Sequence, residues 1–409
     1  MSPPREETLL IYAPVPLHKA GDVLTLEDQA SNGLRLWAEN FDRVLAMYPL
    51  DPGAPPPNWV PVEAAVGPDA MARIEIHPVP MAYRPDRFLV ALGPMKRRIR
   101  ALIDRADYLS FSIGGLFGDW GGVSCLEAHK LGRPFAVWTD RVESQVMKRA
   151  TERGPLRRRI RARLHHRPMV WLERHIIAKS ALGLFHGRDT FDAYAPYCRN
   201  PHLVHDIHLN AGDHIPEDRL AAKIAGAADG PLRLAYVGRA DPMKGPLDWV
   251  GVLEALAGMG VDFRATWLGD GEMHQAMIDR IARAGLGDHV TAPGHTADRA
   301  RVLDTLRDAQ IFLFCHKTPE SPRCLIEALA SGTPVVGYAN AFAEDLVSGS
   351  GGGRFVPMDD VPALAAATAQ LAGDRRRLGD LIARAGRDGA PFTDEGVFRH
   401  RSEIIKAHL

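Results

Sequence analysis

Short apolar runs rich in β-branched and aromatic residues recur along this chain, and stretches with helical spacing separate many of them. In the first half the runs fall at Leu9 to Ala13, Val44 to Tyr48, Arg73 to Val79, Tyr108 to Ile113, Phe135 to Thr139, Ala181 to Phe185 and Leu203 to Val204. Helical patterns at Leu24 to Phe41 and Val123 to Gly132 lie among them. A second series follows, with strands expected at Leu232 to Val237, Phe263 to Leu268, Val290 to Thr291, Ile311 to Phe314 and Val335 to Tyr338. Helices are expected at Pro246 to Met259, Glu272 to Ala284, Ala297 to Ala309, Leu325 to Ser331 and Val361 to Ala372. Strands alternating with helices point to a parallel, doubly wound α/β sheet.

At 409 residues the chain is too long for one core and comfortable for two domains. The polar, alanine-rich stretch from Asp206 to Gly230 divides the two series. The expected organisation is a first Rossmann-like domain over 1–210, a linker over 211–230 and a second over 231–390. Two successive doubly wound halves imply a cleft, with ligands beyond the carboxyl ends of the strands.

Hydrophobic content of 46% is that of an ordinary globular protein, and no segment approaches eighteen uninterrupted apolar residues. Any membrane contact is therefore expected to be peripheral. The 50 basic and 50 acidic residues balance, which argues against a whole-protein grip on nucleic acid, and none is expected as a partner. Cys125, Cys198, Cys315 and Cys324 show no CxxC spacing, so neither a disulfide framework nor a cysteine zinc site is favoured and a reducing cytoplasm fits. His202, His205, His208 and His214 lie close together, but irregular spacing implies no shared metal face, and no metal is expected.

The strongest local signal is GRADPMKG, Gly238 to Gly245, placed directly after the apolar run LRLAYV. Gly238 at a strand end lets backbone approach a ligand, while Arg239 and Lys244 offer cationic donors to phosphate oxygens. About eighty residues later TPESPRCLIEALASGTPVVGY sets two carboxylates, Glu320 and Glu327, ahead of a second glycine-bounded strand.

In these residues the chain resembles the retaining glycosyltransferases of family 4, also called glycosyltransferase group 1, which have the GT-B fold. The resemblance is carried by Gly238, Arg239, Lys244 and Gly245, by LGDGE (Leu268 to Glu272), and by Glu320 with EALASGTPVV from Glu327, and it covers roughly the second half. Only six residues separate Glu320 from Glu327, where the family usually has seven. The resemblance implies two Rossmann-like domains facing across a cleft, with the last helix, 391–409, returning to the first domain. It implies transfer of a sugar, hexosyl-like and metal-independent, from a nucleoside diphosphate sugar to an acceptor hydroxyl. The setting it implies is polysaccharide or glycolipid assembly with a sugar or lipid-linked acceptor, and no cofactor beyond the donor.

Residue by residue, Arg239 and Lys244 would face the diphosphate, gaining value as the leaving group accumulates charge. Glu327 would accept from the ribose hydroxyls, or else serve as an acidic residue favouring the start of its helix. The amides of Leu325 and Ile326 would approach the phosphates, as helix N-termini do. Glu320 would accept from the transferred sugar. Gly269 and Gly271 would open room beside the nucleotide or form a plain turn, and Gly294 with His295 would lie over the base.

In the first half FAVWTDRVES offers Asp140 and Arg141 where the family often has a histidine; Asp140 accepts a sugar hydroxyl, stabilises charge at the anomeric carbon, or is a surface acid. Asp119 and Trp120 in GLFGDWGG suit stacking on a sugar ring, or form a packed turn. Lys148 to Lys179 concentrates positive charge, as one basic helix or two joined near Pro168, with Leu156, Ile160 and Leu164 on one stripe. The segment Arg157 to Arg167 is a solvated structural helix or a grip on an anionic membrane at its inner face, with nucleic acid a third partner. Two other functions stay open: a sugar-nucleotide epimerase of the same fold, and a non-catalytic nucleotide- or membrane-binding protein on a degenerate transferase scaffold.

Overall fold

In a computed structural model the chain divides into two units, residues 1–206 with 395–409, and residues 207–394. The structure describes all residues except 1–5, 57–58, 151–155, 206, 208 and 319–320, and leaves out the side chains of 146, 148–150, 156–159 and 161–162.

The strands of the first unit are β1 (Thr8–Tyr12), β2 (Leu17–Ala20), β3 (Val23–Glu27), β4 (Arg43–Asp51), β5 (Trp59–Pro61), β6 (Ile74–Pro80), β7 (Tyr108–Ser112), β8 (Ala136–Thr139), β9 (Leu182–His186) and β10 (Pro201–Val204). They form one sheet in the order β10-β9-β8-β7-β1-β4-β2-β3-β5, with β6 also on β4. β1 pairs in parallel with β4 and β7, so it is central, and all five of its residues are buried. Its side chains alternate between two cores. Leu10 and Tyr12 join Leu45, Met47 and Phe111 on one face, while Leu9 and Ile11 join Val44, Ala46 and Leu34 on the other.

Two sequence expectations change here. The helix expected from Leu24 begins only at Asp28, because VLTLE alternates with period two and pairs antiparallel with β2 and β5 as a small added lobe. The helix Pro85–Ile103, which carries Pro94 inside it, was not among the expected elements.

The second unit holds β11 (Leu232–Val237), β12 (Phe263–Leu268), β13 (Val290–Gly294), β14 (Ile311–Phe314), β15 (Val335–Tyr338) and β16 (Gly353–Val356). All pair in parallel, in the order β13-β12-β11-β14-β15-β16. Packed aromatic side chains fix its centre, with Tyr236 4.0 Å and Trp249, edge-on, 5.4 Å from Trp267 between ring centroids.

Residues 211–230, expected as a linker, instead carry the helix Glu217–Ala225 and belong to the second unit. Lys223 anchors that helix: its buried amine donates to Ser331 O at 3.0 Å and to Thr333 Oγ1. At the far end, residues 395–409, which hold nearly all of the helix Asp394–His408, belong to the first unit, and the Phe398 ring lies 4.9 Å from that of Trp37.

Candidate functional site

The second sheet runs outward in opposite directions from the β11/β14 pair, which makes that pair its topological switch point. Loops beyond the strand ends on one side of it are stitched together through backbone. Gly238 N–H donates to Leu268 O at 2.9 Å, and Gly269 N–H donates to Gly294 O at 2.9 Å. The register of β12 on β13 slips between Thr266 and Leu268, and such irregularities re-aim a strand end. Gly269 has φ +146°, and a Cβ there would stand 1.9 Å from Gly238 O. No other residue fits without moving β11 away from β12.

The loop that leaves Gly238 continues the stitching. Ala240 N–H donates to Asp270 O at 3.0 Å, and Met273 N–H returns to Ala240 O at 2.8 Å, which packs the Gly271 turn against it. Pro242–Lys244 forms one 3₁₀ turn, closed by Gly245 at φ +65°, before the helix Pro246–Gly258 starts. A Cβ on Gly245 would lie 2.2 Å from Cys315 O, so the cationic turn is pressed against the loop after β14. Lys317 N–H donates to Met243 O at 2.9 Å and ties that loop from the other side.

Within this frame the Arg239 side chain is 74% exposed, with Nη1 3.1 Å from Asp241 Oδ2. An exposed pair of that kind contributes about 0–1 kcal/mol, little enough for a phosphate to take over the guanidinium. Lys244 is half-buried on the same turn. Two cations of different stiffness thus stand beside strand ends whose glycines admit close approach.

Glu327 does not open its helix. The helix spans Arg323–Ala330 behind Pro322, and Glu327 lies in its second turn, so a capping role is excluded. Its side chain is 16% exposed and accepts from Arg299 Nη1 at 2.6 Å, while Arg299 Nη2 lies 3.5 Å from Asp213 Oδ2. The Leu325 amide donates to Pro322 O at 3.1 Å within the turn, and the side chains of Leu325 and Ile326 are buried. His295 is exposed just past β13. Glu320 lies outside the described residues.

In the first unit Asp140 is exposed beyond the end of β8, and its neighbour Arg141 pairs with Glu143. The GLFGDWGG segment is a packed turn and not a stacking platform. Trp120 is fully buried with Nε1 donating to Pro80 O at 2.8 Å. Asp119 caps the helix Trp120–Lys130, accepting from the amides of Gly122 at 3.0 Å and Gly114 at 3.1 Å; burial pushes its carboxyl above the usual range, against those bonds.

The basic segment is a single 24-residue helix, Leu156–Lys179, that runs through Pro168, behind a separate helix Glu143–Ala150. Met169, Glu173 and Ile176 turn inward and are buried. Leu164 at 69% and Trp171 at 62% exposure, with Ile160, face out beside the exposed Arg163 and Arg167. The side chains of Leu156, Arg157, Arg158 and Arg161 lie outside the described residues. Of the clustered histidines, His202 packs on His408, and His214 Nε2 lies 2.9 Å from Phe392 O. Among the described residues no helix is long and apolar enough to cross a membrane.

Residues 218–388 match the sequence model of the family described as Glycosyl transferases group 1. The second unit is a group 1 glycosyl transferase domain. The chain is 28% identical to the 2-deoxystreptamine N-acetyl-D-glucosaminyltransferase of Streptomyces fradiae over 60% of this chain and 61% of that one. It is 26% identical to the amylovoran biosynthesis glycosyltransferase AmsK of Erwinia amylovora over 47% of this chain and 49% of that one. The chain thus spans less than two thirds of the length of these relatives. Among solved structures, HepE of Anabaena in complex with UDP superposes with a TM-score of 0.65 at 14% identity, covering 98% of this chain and all of that one. Likeness at that identity carries the fold, which is GT-B.

Sequence reasoning about this group 1 domain missed two anchors. Lys317 Nζ lies 2.7 Å from Asp248 Oδ2 and 3.0 Å from Asp359 Oδ1, and Tyr338 OH donates to Asp248 Oδ2 at 2.8 Å. Burial opposes the Lys317 charge, but the two carboxylates outweigh it and hold the proton more tightly than usual. The loop carrying the first motif glutamate is thereby fastened to the first turn of the helix that follows the cationic turn. Arg299 is the second anchor. A faint signal for Lys317 was its place between a buried strand and the glutamate motif; Arg299 had none.

Proposed function

We propose that this chain is a retaining glycosyltransferase that moves a hexosyl group from a nucleoside diphosphate sugar to an acceptor hydroxyl, without a metal ion. The observation that carries the reading is the stitched set of strand ends at the β11/β14 switch point, with Arg239 and Lys244 on the loop that leaves β11 beside it. Such a frame suits a diphosphate, because donors held before the reaction need no reorganisation as charge builds on the leaving group. Glu327 accepts from the ribose, the first-turn amides of the helix Arg323–Ala330 and the glycines Gly269 and Gly271 border the phosphates, and His295 with Gly294 borders the base. Glu320 takes the sugar hydroxyls, and Asp140 accepts a sugar hydroxyl or stabilises charge at the anomeric carbon. The departing phosphate takes the acceptor proton on the face where the acceptor attacks, so the anomeric configuration is retained.

The setting is polysaccharide or glycolipid assembly at the inner face of a cytoplasmic membrane. Support for it comes from AmsK, named for amylovoran biosynthesis, and from HepE, solved with UDP and with UDP-glucose. The basic helix Leu156–Lys179, with Trp171 outward, supplies the peripheral contact with an anionic surface, and the acceptor is a sugar or lipid-linked.

A thermal-shift panel of UDP, GDP, ADP and their hexose conjugates tests the donor. Ligand at 100 times Kd adds about 2.7 kcal/mol to folding, so a true donor raises the melting temperature and the others do not. With that donor, the product's anomeric coupling read by NMR is expected to match the donor's, and activity is expected to survive chelation. No stabilisation by any nucleoside diphosphate or conjugate overturns the reading, and an inverted product overturns its retaining part.

A further inference from the structure

Arg299 opens the helix Arg299–Asp308, behind the capping residue Asp298, whose side chain accepts from the Arg301 amide at 3.1 Å. A cation in the first turn faces the positive end of the helix dipole, so helix stability does not account for it. What it does is reach across 28 residues to Glu327, delivering Nη1 to Oε1 at 2.6 Å. It is backed by Asp213 at 3.5 Å from Nη2. Asp213 is itself fixed, since its Oδ2 accepts from the Asn210 amide at 3.2 Å and its carbonyl accepts from Arg307 Nη2 at 3.0 Å. A guanidinium held from behind thus grips one oxygen of a mostly buried carboxylate whose other oxygen keeps acceptor capacity.

We propose that Arg299 is a positioning residue of donor recognition. It holds the Glu327 carboxylate in the orientation that accepts from the 2′ and 3′ hydroxyls of the donor ribose. A free glutamate samples several rotamers, and a charge-assisted bond from a fixed partner removes that freedom before the ligand arrives. Arg299 also follows closely on Gly294 and His295, so the loop bordering the base and the carboxylate reading the ribose share one link. The proposal rests on the reading of Glu327 as the ribose contact.

Calorimetry with UDP, GDP and ADP, each beside its 2′,3′-dideoxy counterpart, separates the two. The wild type is expected to bind its preferred nucleotide about tenfold or more tighter than the dideoxy form. Arg299→Gln is expected to weaken the parent nucleotide by about tenfold and leave the dideoxy form within about twofold, since the lost term acts only through the ribose hydroxyls. Arg299→Lys recovers part of the loss, and adding Arg299→Gln to Glu327→Gln costs nothing further. If Arg299→Gln weakens both probes equally, or neither, the positioning role is overturned while the ribose reading stands. A wild type that binds parent and dideoxy forms alike overturns both. Should Arg299→Gln fail to fold in a circular-dichroism melt, Arg299→Lys and Asp213→Asn carry the same comparison, and unchanged ribose discrimination in both sinks the proposal.

Discussion

Arg239 and Lys244 differ in what surrounds them, yet the same loss is expected from removing either. Arg239 stands mostly in solvent over Asp241, whereas Lys244 is half-buried on a turn pinned by Gly245 and Met243. Removing a preorganised donor to a developing negative charge costs about 2.7–4 kcal/mol, so each Ala variant is expected to lower kcat/KM by about 100-fold or more with the melting temperature unchanged. Steady-state kinetics within about twofold of wild type for both would remove the clamp. The cations were legible in the sequence because they follow a buried strand within a few residues. Arg299 was not, since its meaning lies in Glu327, which only the fold brings near. Glu327 was expected at the start of its helix and lies instead in the second turn, because the helix begins earlier, directly behind Pro322.

At the scale of elements, the stitching of β11, β12 and β13 makes a sharp expectation. Gly269→Ala must move a strand end to relieve a Cβ placed 1.9 Å from Gly238 O. Such overpacking with backbone strain costs about 1–3 kcal/mol, and the shift displaces Gly238 and the cationic turn with it. Denaturant unfolding should report the lost stability, and nucleotide affinity should fall further than the melting temperature suggests. An unchanged affinity would show that the turn does not depend on that contact. Strands were the easiest elements to read, because runs such as LRLAYV and IFLF are apolar at nearly every position and lie buried between helices. Among the missed elements, several have a mixed pattern: the hairpin lobe β2-β3-β5, the strand GRFV, and the helix Pro85–Ile103 interrupted by Pro94.

For the whole molecule, the outward face of the helix Leu156–Lys179 is where a membrane contact would be measured. If that face meets an anionic surface, Arg163 and Arg167 are each expected to add about 1 kcal/mol to binding at low salt, with Trp171 as an interfacial anchor. The triple variant Arg163→Gln, Arg167→Gln, Trp171→Ala is therefore expected to lose sedimentation with anionic vesicles while keeping nucleotide binding in the other unit. Wild-type protein left in the supernatant at low salt would make the face an ordinary solvated one. The two-part organisation was legible from the doubled alternation, but its seams were not. The stretch taken for a linker folds into the second unit because Lys223 reaches the ends of two later elements.

The return of residues 395–409 to the first unit sets an order on synthesis. As the chain emerges, the helix that carries Leu34 and Trp37 on one face of the first sheet lacks Phe398, Ile404 and Ile405 as packing partners until the whole second unit has been made. The first unit is therefore discontinuous in sequence, and completing its core brings together residues separated by the whole of the second.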